Sequence, residues 1–322
     1  VRLLQKRKRH PRKKVSNMIV TLASVLKKAQ AHGYAVGAFN VNNLETAQAI
    51  VTAAVQLRAP VIMQTSEGAV EYAGMEYLSA IIHIAAKAPV PVVLHLDHGK
   101  NLDVIRQALR SGYTSVMYDG SHLPFEENVH RTRQVVQWAR HDGISVEAEL
   151  GRIPGEEDFV SVKRKELLYT DPDEAKLFVK ETGCTALAVS IGTAHGAVKS
   201  MAKVTLDYDL LTRIQQCVSV PLVLHGASSV PSSIVRILQK YGGSLPRAQG
   251  VPDQALRKAV SLGICKVNTD TDLRLVATAA IRKALAMHPE EIDMRMYLGA
   301  ARDALEQEVM RKIRLLGSDD KA

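Results

Sequence analysis

Eight short apolar runs, separated by amphipathic helical patterns, constrain this chain of 322 residues more than any other feature. The runs lie at 36–40, 60–66, 91–97, 115–119, 145–150, 186–191, 221–225 and 266–270. Most read as near-continuous apolar stretches, as expected of strands buried on both faces. The helical patterns fall at 43–58, 75–87, 102–110, 125–142, 173–182, 207–217 and 253–261, with a longer set over 273–316. Such alternation implies parallel pairing through right-handed crossovers. Eight units at this length favour an α/β fold closed as a (β/α)8 or TIM barrel over an open doubly wound sheet. Residues 18–32 predict an extra N-terminal helix, and the last set predicts a C-terminal helical extension. Two connections are long: 151–170, and 227–252, which holds a short helix. Loops of that size in a compact domain are usually functional or mobile.

The formal net charge of +9 misleads, because residues 1–17 carry eight basic residues and no acid. Without them the balance is 34 basic against 33 acidic residues. The chain thus divides into a basic arm at 1–17, a single barrel domain over 18–317 and a tail at 318–322. The arm reads either as a contact for nucleic acid or anionic membrane, or as residues upstream of a start at Met18, where a fluent helical segment begins. The second reading is preferred, so no nucleic-acid partner is expected. An Arg-rich transit peptide is a third reading, weakened by a single serine and poor amphipathicity. No apolar run approaches the roughly 20 residues of a membrane helix. Cys184, Cys217 and Cys265 are far apart with no CxxC, which argues against a disulfide framework and fits a reducing cytoplasm.

In a barrel, the strand C-termini and the loops after them build the active face. The third run delivers Asp97 and His98, the fourth Asp119, and the fifth Glu147 and Glu149. His195 follows the sixth run, His225 ends the seventh, and the eighth carries Asn268 and Asp270. A single histidine at a strand end is more often structural. Three on one rim, beside acids, read as a metal site, because buried charge in this number is too costly to be incidental. Three imidazoles and an open position suit a catalytic divalent zinc acting as a Lewis acid. Magnesium prefers oxygen. His95 reads as a supporting or core residue rather than a ligand. Gly226 to Ser229 and Asn268 to Thr271 put small residues and a helix start where barrels often bind phosphate. Either loop alone is equally an ordinary turn or cap. Lys199 and Arg274 are candidates for phosphate contact or for solvated surface. Beside a metal, this set suggests a phosphorylated carbonyl substrate.

Several segments together resemble the class II, metal-dependent fructose-bisphosphate (ketose-bisphosphate) aldolase family, from about Met18 to Gly317. They are Gly37-Ala-Phe-Asn-Val-Asn, Leu94-His-Leu-Asp-His-Gly, Ser121-His-Leu-Pro-Phe-Glu-Glu-Asn, Val146-Glu-Ala-Glu-Leu-Gly, Gly192-Thr-Ala-His-Gly, Leu224-His-Gly-Ala-Ser and Lys266-Val-Asn-Thr-Asp-Thr-Asp-Leu-Arg. The resemblance implies that His98, His195 and His225 hold catalytic zinc, and that Asp119 and Glu149 match acids at a second metal position. It implies that Asp97 shuttles a proton at the aldehyde oxygen and that Glu157 exchanges the substrate proton. Contacts to dihydroxyacetone phosphate are implied at Gly196, Gly226, Ala227, Ser228, Asn268, Thr269, Asp270 and Thr271, with Na+ or K+ as a helper. The implied reaction is reversible cleavage of fructose 1,6-bisphosphate to dihydroxyacetone phosphate and glyceraldehyde 3-phosphate through a zinc-bound enediolate, without a Schiff-base lysine. A homodimer or homotetramer is implied, serving glycolysis or gluconeogenesis. Asp270 matches a position where fructose-bisphosphate members carry Asp and many tagatose-bisphosphate members carry Ala. Tagatose 1,6-bisphosphate remains the alternative substrate, and a noncatalytic barrel subunit a lesser reading. Two departures stand out. Arg152-Ile-Pro-Gly-Glu-Glu lacks a double glycine, so Pro154 is expected to stiffen that loop. His195-Gly-Ala-Val-Lys lacks an aromatic residue before the lysine.

Overall fold

The structure, a computed structural model, describes residues 18–157, 160–162, 167–195, 205–245 and 249–322. It opens with α1 (Leu22–His32) and β1 (Val36–Asn40), then α2 (Leu44–Gln56) and β2 (Val61–Thr65). Two helices, α3 (Glu67–Ala73) and α4 (Met75–Ala85), lead to β3 (Val92–Gly99). Next come α5 (Leu102–Arg110), β4 (Ser115–Tyr118), α6 (Phe125–Arg140) and β5 (Ser145–Leu150). A short antiparallel hairpin, β6 (Gly155–Glu157) and β7 (Val160–Val162), precedes α7 (Pro172–Thr182) and β8 (Ala186–Val189). Then α8 (Tyr208–Cys217), β9 (Leu222–Leu224), α9 (Ser232–Lys240), α10 (Asp253–Ser261) and β10 (Ile264–Thr269) follow. The chain closes with α11 (Thr271–Met287) and α12 (Met294–Leu316).

Eight parallel strands close into a barrel in the order β1-β10-β9-β8-β5-β4-β3-β2, as the alternating pattern predicts. Side chains alternate across each strand, so one set faces the helices and the other fills the barrel. Facing out, Val61, Leu94, Leu96 and Val116 pack against Ile50, Leu78, Ile82 and Ile105 of the surrounding helices. Each such buried side chain contributes roughly 1.5–3 kcal/mol. Facing in, the lower layer is apolar: Val36, Ala38, Ile62, Val93, Ala186 and Val223 cluster with Leu22, Val25, Leu26 and Ala29 of α1. The extra N-terminal helix thus plugs one end of the barrel. It begins at Leu22 rather than at Met18, because Met18 and Val20 bond as extended chain to Val92. Thr21 then caps the helix by accepting the Ser24 N–H.

The boundaries have physical reasons. Pro60, Pro91 and Pro221 fall just outside β2, β3 and β9, since proline has no N–H for the ladder. The expected C-terminal set breaks at 288–293, where Pro289 cannot continue a helix. The 151–170 connection contains β6 and β7, and 227–252 contains α9. The upper layer of the interior differs in kind from the lower. Gln64, His95, Asp97, Glu147, Glu149, His225, Lys266 and Asn268 are all buried there.

Candidate active site

β3 carries the expected acid and the first expected ligand at adjacent positions, which an ordinary strand sends to opposite faces. His98 instead takes a left-handed backbone, φ 46°, and β3 shifts its register against β4 between Leu96 and Gly99. Asp97 and His98 therefore reach the same side, and Asp97, His98 and His225 bring ligand atoms within 4.8 Å of one another. A non-glycine residue held in a sparsely populated region costs of order 1–3 kcal/mol and clusters at functional sites.

The three imidazoles converge. Ring centroids lie 4.5 Å apart for His98 and His225, 5.3 Å for His98 and His195, and 6.4 Å for His195 and His225. His195 stands farther out, and no ligand group within 4.8 Å includes it among the described residues. Its backbone N–H donates to the Pro154 carbonyl at 2.8 Å, so the loop that carries this proline is bonded directly to the histidine.

His225 is anchored from behind and open in front. Its Nε2 bonds Glu147 Oε1 at 2.9 Å, while its Nδ1 lies 3.3 Å from Glu149 Oε2. That Nδ1 and that Oε2 are both buried, and neither has a hydrogen-bond partner. Burial and nearby His98 push the imidazole down, but the carboxylates of Glu147 and Glu149 outweigh them and raise it to about 9. Two buried donor atoms facing each other without a hydrogen bond are what a divalent cation satisfies, so the residues present fit a metal. A second group, His98, Asp119 and Glu149, also has its ligand atoms within 4.8 Å. Asp119 Oδ2 lies 3.1 Å from His98 Nδ1 and 3.4 Å from Lys100 Nζ. Burial alone would raise the Asp119 carboxyl, but His98, Lys100 and Ser121 hold it well below the usual range.

Asp97 is fixed through both oxygens. Gln64 Nε2 donates to Oδ2 at 2.9 Å, and Asn268 Nδ2 lies 3.0 Å and 3.1 Å from the two oxygens. Gln64 is itself tied to Asn40 at 2.7 Å. Asn268, expected among the phosphate contacts, thus directs its amide to the acid. A third carboxylate-rich group, His95, Asp97 and Glu147, resembles a metal cluster. Lys266 fills it, donating to both Glu147 oxygens at 3.0 Å and 2.8 Å and to His95 Nε2 at 3.4 Å. His95 is pushed down to about 3, by burial first and then by Lys266. It is therefore a neutral support, with Nδ1 paired to Ser115 Oγ at 2.8 Å.

The expected phosphate end is shaped by backbone. Gly226 has φ 60°, and a Cβ there would meet the Ala194 backbone at 2.8 Å, so the β9 loop presses against the residue preceding His195. Ala227 and Ser228 are buried beside it. Thr271 starts α11, and Thr269 Oγ1 is buried without a hydrogen-bond partner. Asp270 and Arg274, expected as separate contacts, pair with each other at 2.7 Å. Glu157 closes β6, and its side chain lies outside the described part. Gly196 and Lys199 lie outside the described residues.

Residues 20–321 match the family described as class-II fructose-bisphosphate aldolase. The chain belongs to the class II fructose-bisphosphate aldolase family. It is 48% identical over 305 residues to the fructose-bisphosphate aldolase of Thermus caldophilus, covering 95% of this chain and 100% of that one. It is 46% identical to that of Giardia intestinalis, with 93% of each chain covered. Among solved structures, the YdjI aldolase of Escherichia coli K12 aligns with TM-score 0.77 at 33% identity, covering 95% of this chain and all of that one. Class II aldolases are generally metal-dependent, in keeping with the donor groups of this barrel. Gln64 was not expected in the site, and Lys266 was expected only as the start of a family segment, without a role. Their signal was a lone polar residue at an inward position of an apolar strand. No helix among the described residues is long and apolar enough to cross a membrane.

Proposed function

We propose that this chain is a zinc-dependent aldolase that reversibly cleaves fructose 1,6-bisphosphate to dihydroxyacetone phosphate and glyceraldehyde 3-phosphate. The observation that carries the reading is the meeting of Asp97, His98 and His225 within 4.8 Å, in a chain of this family. His98, His195 and His225 would hold the zinc, which when bound supplies Lewis-acid polarisation of the ketose carbonyl. Asp97 moves the proton at the C4 oxygen as the C3–C4 bond breaks or forms. Its two-sided grip by Gln64 and Asn268 keeps it aimed at one atom. Glu157 exchanges the carbon-bound proton of the three-carbon ketone. Gly226, Ala227, Ser228, Thr269 and Thr271 bind the phosphate with the N-terminus of α11, where backbone N–H groups and the helix dipole favour an anion. Gly196, Lys199, Asn268, Asp270 and Arg274 assist, the last two as a pair, with Na+ or K+ beside the phosphate. Asp119 and Glu149 offer a second divalent position.

The same reading gives a cytoplasmic homodimer or homotetramer, which sedimentation of the purified enzyme tests. The central test is zinc analysis with a cleavage assay before and after chelation. Cleavage should vanish with the metal and return on its restoration. Asp97→Ala should keep zinc and lose cleavage. Activity that survives complete zinc removal, or full turnover by Asp97→Ala, overturns the proposal. Faster cleavage of tagatose 1,6-bisphosphate than of the fructose isomer would move the substrate and leave the chemistry.

A further inference from the structure

Two fully buried polar residues of the barrel interior have no part in the reaction described above. Lys266 and Glu147 are both fully buried. Lys266 Nζ donates to Glu147 Oε1 and Oε2 at 3.0 Å and 2.8 Å and to His95 Nε2 at 3.4 Å. An ammonium has three protons, and these three acceptors account for them. The Lys266 ammonium also lies 3.8 Å from Asp97 Oδ1. Glu147 in turn accepts from His225 Nε2 at 2.9 Å. With Nε2–H committed to Glu147, the nitrogen left to give up its proton and bind a metal is Nδ1, 3.3 Å from Glu149 Oε2. A ligand imidazole usually gives its other N–H to a carboxylate that fixes ring and tautomer. Here that carboxylate sits far inside the barrel, where an unpaired charge is costly. The lysine, reaching across from β10, holds both of its oxygens in place.

We propose that Lys266 and Glu147 are positioning residues that preset the His225 tautomer for the metal, Lys266 acting through Glu147. The inference rests on the zinc reading above. One buried cation thereby serves two ends of the site. It fixes the carboxylate behind His225, and it lies 3.8 Å from Asp97 Oδ1, while Gln64 holds Oδ2. Both residues come from strands rather than loops, so the orientation of the ring is set before any metal arrives.

Zinc affinity, read by competition with a chromophoric chelator, tests this in wild type, Glu147→Gln, Lys266→Met and the double variant. Circular dichroism checks folding in each. Each single variant should bind zinc roughly ten- to a hundredfold more weakly. The double variant should bind no more weakly than the worse single, because the lysine acts through the carboxylate. Cobalt(II) loaded in place of zinc gives a second readout that owes nothing to turnover. Its visible spectrum should change in both single variants. In 15N-histidine-labelled wild type, His225 should show protonated Nε2 and metal-bound Nδ1. Wild-type affinity in either single variant, losses that multiply in the double, or the opposite tautomer would overturn the proposal. If Lys266→Met does not fold, the double variant, free of the uncompensated carboxylate, must fold; a double that fails as well overturns the pairing. A wild-type chain that takes up no zinc defeats the functional reading instead. Zinc uptake unaltered by both substitutions defeats the relay alone.

Discussion

Asp272→Ala is expected to destabilise this barrel by about 3–5 kcal/mol, the cost of breaking one side of a buried ion pair. Asp272 and Lys312 are both fully buried and lie 2.6 Å apart. The carboxylate also accepts the Ser229 and Val230 N–H groups at 2.8 Å and 2.7 Å, so it holds the loop after β9 as well as α12. Removing it orphans two backbone donors and leaves an ammonium bonded to Ser229 Oγ at 2.7 Å. A chain of this length unfolds with an entropy of about 0.7 kcal/mol/K, so Tm should fall by about 4–7 °C. Circular dichroism melts at one protein concentration measure this. Asp272→Leu with Lys312→Met removes both charges and should recover the part of the loss that comes from the unpaired ammonium. The pH dependence has a defined sign. Burial raises the Asp272 carboxyl, but Lys312 and the two N–H groups more than offset it and hold it below its ordinary value. A depressed carboxylate contributes its stability above its unfolded value, near about 4, and loses it as pH falls through the folded value. The gap between wild type and Asp272→Ala should be constant near neutrality and close on acidification. A Tm within a degree of wild type for the single variant would refute the reasoning. So would a double variant as unstable as the single.

Zinc uptake should displace a proton from His225, which titrates at about 9 in the metal-free chain; calorimetry at about pH 7 in buffers of different ionisation enthalpy should show about one proton released. Zinc uptake without proton release would count against the geometry around Nδ1. Gly226→Ala places a Cβ 2.8 Å from the Ala194 backbone at φ 60°; it should cost more than about 1 kcal/mol and raise KM for a phosphorylated substrate, both read on the purified variant. Thr65→Val removes the hydroxyl 2.8 Å from the buried Tyr113 phenol and should lower stability by about 1–3 kcal/mol in urea melts. A neutral result would mean that Tyr113 finds another partner.

The barrel was legible because β-branched and aliphatic runs announce buried strands, and the histidines because each stands at or just past such a run's end. The supporting network was harder to read. Gln64 and Lys266 each interrupt an apolar strand, but single-sequence periodicity does not show that β2 and β10 face a common interior. The hairpin of β6 and β7 spans three residues on each arm, too short for alternation to register. The pairing of Asp272 with Lys312 joins two helices through tertiary packing and leaves no local trace. Nor does the backbone at His98, since nothing in Leu94-His-Leu-Asp-His-Gly indicates which residue turns left-handed.

That turn sets two selection pressures against each other at one codon. Left-handed backbone favours glycine above residues with a Cβ, so a library varied at position 98 and sorted for thermal resistance alone should enrich glycine. The winner would have a more relaxed strand and no imidazole. Natural proteins tend to lie short of their stability optimum where activity requires strain, and in this barrel that shortfall has an address.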